Sequence, residues 1–533
     1  MSHSVSIPNS ARIIRGRTNW VALLGIVALA AVLQLVIATR SGLWGDEIFS
    51  LAMATGHSLE HPAAKADPGR GDFVEPRDPV PAEEFRRYLT HDDPPANPAR
   101  IIRAVFLSDT NPPLYYLLLY WWTLGFGTSD IAVRLFSITC ALICLPFLAD
   151  IARRTGAEVF SSCSLFVLSP LGIYYSTEGR MYSLLWLCVL ATAWASLVLQ
   201  QHDRRIVIYA LWIVASVAGF LTHYFFVFPW LAIVAYLAIT PGKLGRVNLV
   251  VCLLVSIALI LPWYVKIPET LAAWRVTKDW LKWKPEGFNR GLATLQIFLQ
   301  PFSGGDNKAP SIAAAILFGL IGTVMFSRMR LQAFAKGRLL LWLAFVAASL
   351  GLLAFDLVQH TYTLAVPRYA IAALPFAYLL ASVGLTCLGR FARFVVLIFI
   401  IFGWSLTTLG IYASGWRGWS PLREIANIAC AHTGTSDLIL VRSIPSTVLG
   451  IARYARTPAG LASWIAPLGM RQVPESLREL ARGRTQIILI QMRERREPVP
   501  EQDWLRGHTL VTDQRKLGSA EIVKFRPLKG DTF

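Results

Sequence analysis

The chain has 533 residues, of which 54% are hydrophobic and only 16% are charged, and its formal net charge is +18. This composition excludes an ordinary soluble domain and predicts a polytopic membrane protein. The basic residues are spread over short segments between apolar runs, which is typical of charge that sets membrane topology and does not indicate a nucleic-acid surface. The seven cysteines show neither a disulfide framework nor a Cys-x-x-Cys metal knuckle.

The first apolar segment runs from Trp20 to Thr39 and is long enough to cross a bilayer as a helix. It lacks a small-residue cleavage site, so we expect a retained anchor. Arginines precede it, which predicts a cytoplasmic N-terminus, and Asp46 and Glu47 then emerge on the outer side. Charge this close to lipid is costly unless it faces protein or water. The pair is therefore either a functional site or simply the polar end of a span.

A hydrophilic stretch from about residue 50 to residue 109 predicts a large external loop with short helices at Ala82–Leu89 and Ala99–Leu107. The next apolar run, 112–126, is short for a span and rich in Tyr and Trp, so we expect a helix in the membrane interface. With this run on the surface, all five inner loops are short and basic, and the chain has eleven spans. The ten spans after the first are predicted at roughly 131–149, 157–175, 181–200, 206–222, 225–240, 247–265, 310–327, 339–358, 368–388 and 394–412.

Beyond about Trp416 the chain contains no predicted span. Short apolar runs there predict strands, and amphipathic runs predict helices. The predicted strands are Leu438–Val441, Ile487–Ile490 and Ile522–Phe525, and the predicted helices are 421–431 and 474–481. We therefore divide the chain into a transmembrane module, residues 1–415 with the external loop 41–130, and a small extracytoplasmic α/β domain, residues 416–533.

This topology places the unusual polar residues of the membrane module on one face. Each alone has an ordinary explanation, such as an arginine that snorkels to the interface. Together, a carboxylate pair and several basic groups on one face predict a site that binds an anionic ligand beside a base. Besides Asp46 and Glu47, these residues are Asn111, Arg134, Glu178, Arg180, Tyr182, His223, Arg368 and Tyr369.

Short motifs follow one another in a distinctive order over about residues 20–410. They are Trp-Gly-Asp-Glu after the first span, Asn-Pro-Pro-Leu-Tyr-Tyr, Val-Arg-Leu-Phe-Ser, Ser-Pro-Leu-Gly-Ile-Tyr-Tyr-Ser-Thr-Glu-Gly-Arg-Met-Tyr, and His-Tyr-Phe. In these motifs the chain resembles the GT-C membrane glycosyltransferases. More narrowly, it resembles their bacterial branch near the protein O-mannosyltransferases and the lipid A aminoarabinose transferases.

The resemblance implies a GT-C-like helical fold and sugar transfer from a polyprenyl-phosphate donor on the outer face of the membrane. It implies that Asp46 is the catalytic acid/base residue, with Glu47 beside it. The basic phosphate-binding positions of the family have three candidates here, Arg134, Arg180 and Arg368. Asn111 departs from the pattern, because many relatives carry His or Lys before Pro-Pro. This departure puts a charged phosphate contact and a metal ligand at that position in doubt.

The residues favour the same chemistry independently. Inverting transfer to a hydroxyl group needs a carboxylate that takes the acceptor proton, and a lipid phosphate leaves most readily beside arginine or a metal ion. With what the resemblance implies, we expect a mannosyltransferase-like enzyme of a bacterial inner membrane that uses a polyprenyl-phosphate-linked sugar and a lipid, glycan or protein acceptor. The residues expected to bind substrate are Asn111, Glu178, Tyr182, His223 and Tyr369.

A divalent metal remains open at this stage. The carboxylates and His223 offer suitable ligand types, but no ligand spacing requires a metal ion. A polytopic transporter or lipid flippase is the alternative function, and a scaffold of an envelope complex is a third. A transporter is expected to show internal repeats or broken helices with charge at the bilayer midplane. The sequence shows no clear repeat, and its charges lie at the ends of spans.

Overall fold

The computed structural model of the protein describes residues 20–528 except 110, 202–205, 241–243, 273, 277–279, 303–318, 320–321, 324, 329, 335–336, 419 and 493–498. Within these residues, seven helices are long and apolar enough to cross a membrane. They are Val21–Arg40, Asp130–Thr155, Tyr182–Gln201, Arg246–Ala272, Arg338–Gln359, Arg368–Leu385 and Arg390–Ala413. The predicted polytopic helical fold is thus confirmed.

One further candidate span is bent. The helices Val159–Leu168 and Pro170–Ser176 meet at 62° and together pass the same length and hydropathy test. The bend lies at Ser169 because a residue before proline is disfavoured in the helical region. The Oγ atom of Ser169 instead accepts the N–H of Gly172 at 2.9 Å and caps the second helix.

Two shorter apolar helices, Ile206–Phe220 and Tyr224–Ile239, occupy the positions of the predicted fifth and sixth spans. The predicted span at 310–327 lies largely outside the described residues. Every other predicted span has an apolar helix in its place. The total of eleven spans stays a prediction, because it requires the bent pair, the two shorter helices and the segment 310–327 all to cross the membrane.

The external loop 41–130 contains the two predicted short helices. One is Ala82–Arg86 with a 3-10 turn at Arg87–Leu89, and the other is Pro98–Ser108. A buried carboxylate holds the loop together: Asp72 accepts from Arg103 Nη1 at 2.6 Å and from Nη2 at 2.8 Å. The helix Gly45–Ala54 opens this loop, and the helix Leu114–Phe126 lies near its end.

The C-terminal region contains one five-stranded sheet of order β2-β1-β3-β5-β4. Its strands are β1 (Leu438–Arg442), β2 (Gly460–Trp464), β3 (Ile487–Met492), β4 (Thr509–Leu517) and β5 (Ala520–Pro527). β1 pairs in parallel with β2 and β3, whereas β5 pairs antiparallel with β3 and β4. The helices of this region are Leu422–Cys430, Pro445–Tyr454, Glu475–Ala481 and Pro500–His508.

This region packs against the external loop. Val80 and Leu461 exchange backbone hydrogen bonds of 3.0 and 2.8 Å across the two segments. Arg86 Nε donates to the carbonyl oxygen of Ala452 at 2.8 Å, and the Glu75 carboxylate accepts the Ile465 N–H at 3.0 Å. The boundary at residue 416 remains a prediction, and both segments contribute to one apolar core.

Reporter fusions test the predicted topology. A reporter that is active only outside the cytoplasm should be active after Ser129, after His223 and at the C-terminus, and silent after Arg154 and after Arg246. The reason is that basic loops are retained in the cytoplasm. Enzymatic activity of alkaline phosphatase fusions measures this directly. Activity after Arg154 together with silence after His223 would show that 112–126 crosses the membrane.

Candidate active site

The site begins with a buried ion pair between Arg134 and Glu47. Both side chains have 0% exposure. Arg134 Nε donates to Glu47 Oε1 at 2.8 Å, and Nη2 donates to Oε2 at 2.6 Å. The other three guanidinium N–H groups donate to the carbonyl oxygens of Ala38 (2.6 Å), Ser41 (2.7 Å) and Gly42 (2.8 Å). All five donors of this side chain are therefore used within the protein.

Glu47 is also saturated. Its carboxylate accepts the backbone N–H of Trp44 at 3.1 Å and that of Gly179 at 2.8 Å. Burial opposes ionisation of this carboxyl group, but the charges of Arg134 and Arg417, together with the hydrogen bonds from Arg134 and Gly179, outweigh burial and lower the pKa of Glu47. The pair ties the turn before helix Gly45–Ala54 to the helix Asp130–Thr155. We expected Arg134 to bind the phosphate of the sugar donor. All of its N–H groups already bond within the protein, so none is left for a phosphate.

Asp46 lies differently, although it is the next residue along the chain. Its side chain is 26% exposed, and its Oδ2 atom lies 3.2 Å from Nη1 of Arg368. Successive residues of a helix point about 100° apart, so one carboxylate of the pair can be buried while its neighbour faces a cavity. Asp46 is the accessible carboxylate of the two.

Arg368 is surrounded by aromatic rings. Its guanidinium carbon lies 5.7 Å from the Trp44 ring centre, 5.6 Å from that of Trp280 and 5.8 Å from that of Tyr369. These distances are within the range of cation–π attraction. The rings and Asp46 hold the guanidinium in place, yet 21% of the side chain is exposed. Arg368 therefore remains accessible to a ligand.

The segment before Arg368 is fixed by a buried carboxylate, Asp356. Its Oδ1 atom accepts from the hydroxyl groups of Thr361 and Thr363, each at 2.6 Å, and from the Thr363 N–H at 2.7 Å. Its Oδ2 atom accepts the N–H of Leu364 at 3.0 Å. These four bonds satisfy a carboxylate that is 0% exposed and order the turn that leads to Arg368.

Arg180 contacts the other side of Asp46. Its Nη1 atom donates to Ser50 Oγ at 3.1 Å and to the Asp46 carbonyl oxygen at 3.4 Å. The same atom lies 3.3 Å from Asp109 Oδ2 and 3.2 Å from the Tyr116 hydroxyl. Its Nε atom is buried and has no partner among the described residues. Arg180 is thus anchored at one end and retains an unused donor.

Asp109 is a member of this cluster that the sequence analysis did not single out. It accepts the hydroxyl hydrogen of Tyr116 at 2.5 Å, and the side chain of Asn111 donates to it at 2.9 Å. Burial raises the pKa of this carboxyl group, but the charge of Arg180 and these hydrogen bonds bring it below its ordinary value. Its position just before the Asn111-Pro-Pro motif is the sequence feature that could have identified it as a member of the site. Asn111 supports Asp109 here.

Glu178 lies in the turn before Tyr182. Its Oε1 atom accepts the indole N–H of Trp44 at 3.0 Å. Its Oε2 atom is buried and has no partner in the described part of the chain. Burial raises the pKa of this carboxyl group to about 7. Glu178 can therefore hold or release a proton near neutral pH, beside the ring that contacts Arg368.

His223 presents a single unused N–H group. Its Nδ1 atom accepts the backbone N–H of Phe225 at 3.1 Å, so the neutral ring carries its proton on Nε2. That atom is buried and has no partner among the described residues. Burial and the charge of Arg180 lower the pKa of this ring to about 3. At neutral pH, His223 is a neutral hydrogen-bond donor.

The predicted residues therefore divide into two groups. The first group consists of the partly exposed pair Asp46 and Arg368, with the buried side chains of Arg180, His223 and Glu178 around them. The rings of Tyr182 and Tyr369 lie 6.4 and 6.0 Å from that of His223. The second group consists of Glu47 with Arg134 and of Asn111 with Asp109. Its contacts hold the first group in position. Within the described residues, no three His, Cys, Asp or Glu side chains lie together in a way that suits a metal ion.

Part of the chain is similar in sequence to a known protein family. Residues 110–265 match the family model described as dolichyl-phosphate-mannose-protein mannosyltransferase. This segment includes the cluster residues from Asn111 to His223. No curated protein matches the chain.

Structural comparison covers nearly the whole chain. ArnT from Cupriavidus metallidurans in the apo state aligns with 95% of this chain and 98% of its own length, at 14% identity and a TM-score of 0.59. The structure of that ArnT bound to undecaprenyl phosphate covers the same shares, at 15% identity and a TM-score of 0.58. The likeness shows that the helical module and the C-terminal sheet region together form the ArnT fold.

Proposed function

We propose that this chain, a membrane glycosyltransferase of the GT-C superfamily, transfers a sugar from a polyprenyl-phosphate donor to an acceptor hydroxyl group on the outer face of the membrane. The observation that carries the proposal is the accessible pair of Asp46 and Arg368, with 3.2 Å between carboxylate and guanidinium. A base and a phosphate-binding cation thus lie side by side. The family match and the ArnT fold favour this enzyme over a transporter or flippase.

Asp46 acts as the general base in this proposal. The acceptor hydroxyl gives its proton to the Asp46 carboxylate while its oxygen forms a bond to the anomeric carbon of the sugar. The bond from that carbon to the phosphate oxygen breaks, and the polyprenyl phosphate leaves with the electron pair. A single displacement of this kind inverts the anomeric configuration. One carboxylate is sufficient, because a phosphate leaves without being protonated.

Arg368 and Arg180 bind the donor phosphate in this scheme. A phosphate accepts hydrogen bonds only, and Arg368 is partly exposed while Arg180 keeps an unused buried Nε–H. A phosphate at Arg368 competes with Asp46 for the guanidinium. Donor binding therefore releases the carboxylate for its role as base at the moment when the donor is in place.

The other residues around this pair are assigned to the sugar and the acceptor. His223 offers a neutral N–H, and Glu178 offers a carboxyl group whose pKa is about 7. The rings of Tyr182 and Tyr369 lie beside the ring of His223. Arg134 becomes a positioning residue for Glu47 in this proposal, and Asn111 one for Asp109. The acceptor class, whether lipid, glycan or protein, and a bacterial inner-membrane location remain part of the proposal.

Replacement of Arg368 by alanine should weaken donor binding. A charge-assisted hydrogen bond contributes roughly 1.5–3 kcal/mol, so we expect the Kd for a polyprenyl phosphate to rise by about 10- to 150-fold. Binding of the lipid to purified protein in detergent, measured by microscale thermophoresis, tests this. Arg368→Ala is a cleaner variant than Arg180→Ala, because loss of Arg180 also leaves Asp109 buried without its cation.

Arg40→Ala is the matched control. Arg40 also lies at the outer end of a span, donates to the Tyr412 carbonyl oxygen at 3.2 Å and contacts the ring of Tyr412. It should leave the Kd unchanged within about twofold, because it has no place in the proposed site. Equal affinities of wild type and Arg368→Ala would assign Arg368 to packing only.

A further inference from the structure

The turn 41–44, which leads into the helix with Asp46, is held in place by hydrogen bonds to its backbone. Arg134 binds the carbonyl oxygens of Ser41 and Gly42, and Glu47 binds the N–H of Trp44. The N–H of Leu43 lies between these groups and points to another part of the chain. It donates to the hydroxyl oxygen of Tyr454 at 2.6 Å, across 411 residues of sequence.

Tyr454 is itself anchored on the membrane module. Its hydroxyl group donates to Asp130 Oδ2 at 2.7 Å, at the start of the helix that carries Arg134. Arg453 and Arg423 bind the same carboxylate at 2.9 and 3.0 Å. A continuous hydrogen-bonded chain therefore runs from the Leu43 backbone through Tyr454 to Asp130.

The packing around this link is close. A Cβ atom on Gly42 would lie 2.8 Å from the Cβ of Arg423 and 2.9 Å from the Tyr454 ring. A Cβ atom on Gly450, one turn before Tyr454, would clash with Leu422 Cδ1 in the helix Leu422–Cys430, and would lie at an ordinary contact distance of 3.4 Å from Ile48. Glycine at position 42 therefore lets Arg423 and the Tyr454 ring approach the turn directly, and glycine at position 450 lets the helices Leu422–Cys430 and Pro445–Tyr454 pack closely. The turn thus packs directly against two side chains of the C-terminal region.

We infer that Tyr454 is a positioning residue of the active site, so that the C-terminal region sets the place of the catalytic carboxylate. The inference rests on the proposed function for its effect on turnover. This positioning role differs from a role of the C-terminal region in acceptor binding alone, because it affects the rate of the chemical step. A carboxylate displaced by about 1 Å can lose on the order of 10²-fold in rate.

Tyr454→Phe removes one hydroxyl group and leaves the ring. Hydrogen–deuterium exchange of the full-length protein in detergent should show exchange at least about tenfold faster at the amides of the peptide 41–50, because the Leu43 N–H loses its partner. Tyr209→Phe is the control: its hydroxyl group accepts from Asn248 at 3.2 Å, away from this turn. Unchanged exchange in Tyr454→Phe would overturn the inference, whatever reaction the protein catalyses.

Turnover gives the second readout. We expect kcat of Tyr454→Phe to fall by about 10- to 100-fold while the Kd for polyprenyl phosphate and the melting temperature stay close to wild type. A kcat within twofold of wild type despite faster exchange would overturn the positioning role. A loss of donor affinity equal to the loss of kcat would also overturn it, since that pattern indicates general damage. If Asp46→Asn keeps full turnover, the assignment of Asp46 as the base fails, and the exchange result still decides whether Tyr454 holds the turn.

Discussion

Asp46→Asn should lower the turnover of the purified enzyme by about 10²–10⁴-fold, which is the range that general-base assistance contributes. The substitution keeps the shape of the side chain and removes the group that takes the acceptor proton. It also removes the negative charge that pairs with Arg368 in the absence of donor. Donor affinity should therefore be equal to that of wild type or higher. Loss of turnover with undiminished binding is the pattern expected for a base.

Asp92→Asn is the control for this variant. Asp92 lies in the same external loop, is partly exposed and pairs with Arg100 at 2.7 Å, which resembles the pairing of Asp46 with Arg368. It lies outside the proposed site and should retain wild-type turnover. If Asp46→Asn transferred sugar at the wild-type rate, Asp46 would not be the base. Glu178, whose carboxyl group has a pKa of about 7, would be the next candidate.

Glu47→Gln should affect stability more than any other conservative change at the site. It leaves the Arg134 guanidinium buried without its counter-ion, and removal of one partner of a buried ion pair costs about 3–5 kcal/mol. The pKa of Glu47 is lowered in the folded protein, so its stabilising charge is fully present at neutral pH and is lost only as acid protonates the carboxylate. A thermal melt in detergent measures the loss.

Glu84→Gln provides the matched comparison, because it breaks a Glu–Arg pair at the surface. Glu84 lies 3.5 Å from Arg87, and both side chains are more than half exposed. Such pairs contribute about 0–1 kcal/mol, so the melting temperature should hardly change. Equal melting temperatures of the two variants would show that the Glu47–Arg134 pair does not stabilise the fold. We would then consider a direct catalytic role for Glu47.

The adjacent carboxylates Asp46 and Glu47 show which features of the site can be predicted from the sequence and which cannot. Their place after the first span predicts a polar site, and in the structure arginines from distant segments contact both carboxylates. Which carboxylate stays accessible depends on Arg134, some ninety residues away, and on the N–H of Gly179. Hydropathy and spacing contain no information on the direction of a side chain at the end of a span. For this reason the sequence suggests Arg134 as a phosphate-binding residue, whereas in the structure Arg134 is the buried partner of Glu47.

The secondary structure is likewise predictable from the sequence only in part. Long apolar helices are predicted well because their length is imposed by the bilayer. β2 and β4 escaped prediction for different reasons. β2, Gly-Leu-Ala-Ser-Trp, lacks the β-branched residues that mark strands. β4 is an antiparallel edge strand of mixed polar sequence, Thr-Leu-Val-Thr-Asp-Gln-Arg-Lys-Leu, whose pairing with β5 depends on tertiary contact.

Mass spectrometry of envelope glycans and lipids tests the central claim most directly. The strains to compare are a deletion strain, the same strain with the wild-type gene restored, and the same strain with Asp46→Asn at equal protein level. We predict that one sugar modification is missing from the deletion strain, returns with wild type and does not return with Asp46→Asn. The matching polyprenyl-phosphate sugar should accumulate wherever the modification is missing. Full restoration by Asp46→Asn, or identical sugars and lipid carriers in all three strains, would contradict the account.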